Sequence, residues 1–230
     1  MSKKKNFAMG LKAGLPIVFG FIPVGIAYAM MARDAGLTIL ETCLMSLTVF
    51  AGASQMMAAG MIAKGAGMLA IIITTFILNL RHVIMSMCVF NKMDDKKNKL
   101  KYPASFGVTD ESFAVFTQTK KENSNIYFFL GLVIISYSAW NVGSLIGAIA
   151  SEFLPEVITI SFGIALYAMF IGLLMPGLRG NLKLTILVIF TAIISFVLNE
   201  FIDSSWAIVI STLVSAFIGI YFVDLKEDNV

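Results

Sequence analysis

The chain has 230 residues, of which 58% are hydrophobic and only 13% charged, with a formal net charge of +3. A soluble domain carries roughly twice that charged fraction, so the composition excludes a water-solvated globule and describes a protein whose outer surface faces lipid. It also argues against nucleic acid, because no Lys/Arg stripe is interleaved with aromatics and no glycine-rich phosphate cradle ending in Lys-Ser or Lys-Thr occurs. Cys43 and Cys88 fall inside apolar segments and read as small apolar residues; with a single histidine in the chain, no zinc-type spacing arises. Neither a metal, nor a cofactor, nor enzyme chemistry is expected.

Seven apolar segments follow one another at 13–32, 40–62, 68–90, 126–149, 157–178, 184–200 and 205–223. They predict an all-α polytopic membrane protein with about six to eight membrane segments. The first segment has a basic start and Ala27-Tyr28-Ala29 where a signal peptidase could cut. Its apolar stretch is nevertheless longer than the usual signal core of roughly 7–15 residues, so it is expected to stay as a first helix. Pro23 and Gly25 predict a break or a kink there, since proline frees a carbonyl one turn upstream. The second segment carries Phe50-Ala51-Gly52-Ala53-Ser54-Gln55 near its midpoint. That is either a surface for close helix packing or a substrate site, with Gln55 supplying donors and an acceptor.

The third segment is the greasiest and the most costly. Asn79, Arg81 and His82 interrupt it near its middle, where a charge costs about 2.5–3.5 kcal/mol on insertion scales. Thr75, Asn79, His82 and Ser86 recur at helical spacing and share a face, whereas Arg81 points elsewhere on a regular helix. Either Arg81 pairs with an acid on another segment or the helix unwinds around it. Groups this expensive usually face a partner or a water-filled cavity, which makes movement of something polar across the membrane the expected function.

A polar stretch at 91–125, rich in lysine, divides the chain. The expected organisation is one membrane domain over 1–230: a first repeat at 10–90, the connector at 91–125, and a second repeat with a final helix at 126–223. The repeats would be inverted, as is common in secondary transporters, each with an aromatic-Ala pair (Phe50-Ala51 and Tyr167-Ala168). Charge bias then creates a conflict. Lys3, Lys4, Lys5 and Lys12 place the N-terminus in the cytoplasm, and the lysines of 91–125 belong there too, yet three full crossings between them would put the connector outside. By contrast 151–156 and 200–203 carry only acids. Two remedies are open: 40–62 enters and leaves on one face, or 104–118 dips in or spans. Within the connector, Thr109-Asp110-Glu111 reads as a helix cap, or as proton acceptors and the counter-charge of Arg81. Gly143 and Gly147 form a GxxxG packing face, with Trp140 and Asn141 beside it as cavity candidates.

GLPIVFGFIPVGIAY (14–28), FAGASQ (50–55), NLRH (79–82), TDESFA (109–114) and LYAMFIGLLMP (166–176) occur in that order. In these phrases the chain resembles the AzlC family, the large subunits of branched-chain amino acid exporters. The resemblance implies export of Leu, Ile and Val, with Met as a further candidate, driven by the proton gradient from a bacterial cell membrane. It also implies a small four-helix AzlD-like membrane subunit, expected from a separate chain since no such segment is appended here. The family's motifs make Phe50, Gly52, Ser54, Gln55, Asn79 and Arg81 the candidate substrate-binding positions, and His82, Asp110 and Glu111 the candidate proton-coupling ones. A transporter of another small amino acid or metabolite, and a non-transporting membrane scaffold, are the competing readings.

Overall fold

The computed structural model describes residues 2–93, 98–151, 153, 171, 174–175, 178–202 and 204–222. Among these the chain is helical throughout, and it forms two compact units, Met1–Met169 and Phe170–Val230. Helices long and apolar enough to cross a membrane are Leu15–Asp34, Met68–Lys92, Ile126–Ala150 and Leu182–Asn199.

The first unit is built on two helical columns. Helix α1 (Lys3–Ala13) passes into α2 (Leu15–Asp34) through Gly14, whose N–H still reaches Gly10 O at 3.0 Å, so the hydrogen-bond ladder crosses the joint. Helix α8 (Ile126–Ala150) runs parallel to this column. The register is read from close approaches: Gly131 meets Phe7 O, Gly143 meets Ile22 O and Gly147 meets Ile26 O. A Cβ at Gly143 or Gly147 would lie 2.5 Å from those carbonyls, so the GxxxG face is a packing face between α2 and α8. Of the break or kink expected at Pro23 and Gly25, the break is absent, because α2 is one helix through both residues. Gly25 instead makes room for α8, where a Cβ would sit 2.9 Å from Trp140 O.

The second apolar segment does not cross. Helix α3 (Ile39–Val49) starts with a Thr38–Glu41 capping box and runs back along α8, with Ser46 Oγ bonded to Ser144 Oγ at 2.7 Å and Tyr137 OH to Leu47 O at 2.8 Å. It ends where Phe50 takes a left-handed conformation, φ 43°. Helix α4 (Gly52–Ala63) then doubles back. Gln55 Nε2 donates to Ser46 Oγ at 3.2 Å across nine residues, which a straight helix would hold roughly 13 Å apart at 1.5 Å per residue. A tight turn with Gly65 at φ 71° leads to α5 (Met68–Lys92), which is regular over its 25 residues.

The connector holds a second hairpin. Helix α6 (Lys101–Ser105) and helix α7 (Asp110–Thr117) leave the C-terminal end of α5 and return to it. Lys101 Nζ donates to Phe90 O at 3.2 Å and Lys92 Nζ to Thr117 O, while Asp110 reaches Arg81 in the middle of α5. Both segments weighed in the charge conflict, 40–62 and 104–118, thus hold a reversal of the chain: the first at Phe50, the second between α6 and α7. The α2–α3 and α4–α5 turns share one side of this unit; the start of α1 and the connector share the opposite side.

In the second unit α9 (Leu182–Asn199), capped by Asn181 Oδ1 on Leu184 N at 3.0 Å, packs against α10 (Ser204–Phe222). These match the last two predicted segments. Most of segment 157–178, with Tyr167-Ala168 and most of LYAMFIGLLMP, lies outside the described residues, and a repeat pairing 10–90 with 126–223 would need it.

Candidate functional site

The two hairpins meet tip to tip beside the midpoints of α5 and α8. The Phe50 ring centroid lies 6.1 Å from that of Phe106 and 5.0 Å from that of Tyr137, and Phe106 lies 5.9 Å from Tyr137. Phe50 is also held edge-on by Phe21 at 6.2 Å. A bulky residue at positive φ is a backbone outlier, and here a set of ring contacts keeps it in place. Where the tips meet they leave a cavity of about 230 Å³. Phe50, Ala51, Phe106 and Val108 supply its apolar walls; Asn79 and His82 of α5 close the other side, with Val49 and Ser105 at the edge.

Helix α5 holds its polar residues without unwinding. Asn79 Oδ1 accepts from Ser54 Oγ at 2.5 Å, and the His82 ring Nδ1 lies 3.3 Å from Asn79 O. Arg81 pairs with Asp110, Nη1 lying 3.1 Å from Oδ1 and 2.9 Å from Oδ2. Of the two alternatives for Arg81, the acid on another segment is the one adopted. Asp110 opens α7, whose cap is reciprocal: Thr109 N donates to Ser112 Oγ at 2.8 Å and Ser112 N to Thr109 Oγ1 at 3.2 Å. A carboxylate in the first turn is also favoured by the helix dipole. The Thr-Asp-Glu phrase is thus both a helix cap and the counter-charge. Glu111, next in the same turn, is buried and outside that ion pair.

Several candidate positions lie behind the cavity wall. Gln55 is fully buried; its Oε1 accepts from Trp140 Nε1 at 3.1 Å and from Ala51 N at 3.2 Å, and its Nε2 serves Ser46. It fastens the α3–α4 tip and, unlike Asn79, does not line the cavity, so of the two readings open for Gln55 its contacts match close packing. Gly52 packs on the Trp140 ring, where a Cβ would meet Cη2 at 2.7 Å. Ser54 is buried and orients Asn79. Phe106, Val108 and Tyr137 were not singled out by the sequence reading. The one signal for the second tip was Phe106-Gly107 just before a capped helix, echoing Phe50-Ala51 before Gly52.

Residues 16–154 match the family described as AzlC protein, a stretch that contains both hairpins and the cavity. An uncharacterized membrane protein of Archaeoglobus fulgidus is 36% identical over 79% of this chain and 80% of its own length. The inner membrane protein YgaZ of Escherichia coli is 29% identical over 79% of the chain and 77% of its own. A Bacillus subtilis relative, branched-chain amino acid transport protein AzlC, is 26% identical over 60% of the chain and 55% of its own. No solved structure matches the chain.

Proposed function

The chain belongs to the AzlC family, and from that premise we propose that it is a secondary transporter exporting branched-chain or similarly apolar amino acids, coupled to the proton gradient and working with a small membrane subunit. The observation that carries the reading is the meeting of two re-entrant tips at a small two-sided cavity. In a membrane, irregular backbone is tolerated only where protein buries it or where it lines a cavity. Secondary transporters commonly build their substrate sites from such half-helices.

The chemistry of the lining supports a zwitterion with an apolar side chain. Ser54 occupies Asn79 Oδ1, so the Asn79 amide NH₂ is what remains to donate to a carboxylate. The apolar tips suit the side chain. A volume of about 230 Å³ lies below the roughly 300–1,000 Å³ of drug-sized sites, on the scale of a single small metabolite. Coupling to protons would fall to Glu111 or His82, since Asp110 is engaged by Arg81. The start of α1 and the lysine-rich connector would face the cytoplasm, and the small partner would meet the outer surface of the helices.

The test is leucine, isoleucine, valine and methionine efflux from cells loaded with dipeptides, with the chain expressed alone and with a four-helix partner. The expected result is faster efflux that depends on the chain and on the pH gradient. Efflux identical with and without the chain would refute the reading. Glu111→Gln should abolish gradient-driven efflux while leaving exchange of amino acid for amino acid; loss of neither would remove Glu111 from the coupling role.

A further inference from the structure

Within this site the walls differ in kind and in rigidity. The polar side comes from one continuous helix, α5, through Asn79 and His82; the apolar side comes from two hairpin tips. Ala51 and Val108 are buried, at 6% and 2% exposure, so their far sides are backed by protein. Ala51 follows directly on Phe50, whose left-handed backbone is clamped by Phe21, Phe106 and Tyr137. Behind Val108, Gly107 is pressed on Val133 so closely that a Cβ would fall 2.0 Å from Cγ1. Neither tip has room to retreat without breaking these contacts. Strained backbone held in place by over-determined packing points to a positioning role.

We infer that the two tips measure the substrate side chain, with Phe50 as the wall on which it rests and Ala51 and Val108 setting its upper size. This rests on the transport reading. The amino and carboxylate groups lie towards α5, and the side chain extends between the tips. A rigid apolar wall discriminates by methylene count: one CH₂ more or less is worth about 10–200-fold in specificity.

The experiment is counterflow into proteoliposomes holding the chain with its small partner, using alanine, valine, leucine, methionine and phenylalanine as competitors. Val108→Ala should raise the competition by methionine or phenylalanine relative to valine about tenfold. Ala51→Val should lower leucine relative to alanine by a similar factor. Should Ala51→Val fail to assemble, Ala51→Gly removes atoms from the same wall and should shift selectivity in the Val108→Ala direction. Assembled variants that keep the wild-type order of competition would overturn the inference while leaving transport intact. A wild-type chain that moves none of these amino acids would instead overturn the transport reading, and the inference with it.

Discussion

Arg81 has few ways to lower its cost. A guanidinium keeps its charge at any working pH, and the side chain is 36% exposed with its Nε buried and unpartnered. Asp110 is its only carboxylate partner among the described residues. Exposed pairs contribute about 0–1 kcal/mol and breaking a buried one costs about 3–5. The half-buried Arg81–Asp110 pair falls between, so Arg81→Gln should cost about 2 kcal/mol in detergent unfolding. Arg81→Gln/Asp110→Asn should recover most of that loss, since the pair goes together. Failure of the double variant to recover would show that Arg81 serves another anion. Arg81→Lys should be poor, because a point ammonium does not reproduce the planar fork. Gln55 makes the parallel case among neutral groups. Its removal strands the Trp140 indole N–H and the Ala51 N–H in a buried setting, and each unsatisfied donor costs about 1–3 kcal/mol. Gln55→Ala should therefore lower the melting temperature as well as transport. Normal stability with lost transport would return Gln55 to the substrate.

At the scale of elements, what was legible and what was not separates cleanly. The capping box of α3 was present as Thr38 and Glu41 at the right spacing, and the spans of α5, α8 and the last two helices follow from apolar length alone. The reversal at Phe50 was not legible as a fact, only as one of two remedies for the charge bias. Hydropathy sums side chains and is blind to a single φ of 43°. The second hairpin was hidden differently. At five and eight residues, α6 and α7 are too short for an apolar window to register, and their depth is set by lysine and arginine contacts to α5. Pro23 and Gly25, where a break or a kink was open and no break occurs, show the converse. Gly25 answers to the partner helix α8, which no local pattern reveals. Close packing there gives a sharp contrast between glycines. Gly143→Val should prevent α2 and α8 from closing and abolish a stable monodisperse protein. Gly60→Ala, in α4 with nothing within 4 Å of its Cβ, should raise stability by about 0.5–1 kcal/mol. Equal behaviour of the two variants on size-exclusion and thermal unfolding would contradict the helix register.

For the whole first unit, the two hairpins decide topology. Had 40–62 crossed, the Asp34 and Lys64 turns would lie on opposite sides, and the lysine-rich connector would lie on the side opposite Lys3, Lys4, Lys5 and Lys12. Because α3 and α4 return to the face they left, Asp34 and Lys64 share a side, and α5 alone carries the chain to the connector. Lys3, Lys4, Lys5, Lys99, Lys120 and Lys121 then gather on one face, and the positive-inside bias predicts that this face is the cytoplasmic one. Single cysteines test this directly once Cys43 and Cys88 are replaced. Asp34→Cys and Lys64→Cys should both react with an impermeant maleimide added outside intact cells. Lys99→Cys and Lys121→Cys should react only after the membrane is opened. Labelling of Lys64→Cys from the side opposite to Asp34→Cys would make 40–62 a full span and dissolve the tip-to-tip cavity. Outside labelling of Lys99→Cys together with Lys64→Cys would mean that α5 does not cross, leaving Arg81 and Asn79 nowhere near the middle of a membrane.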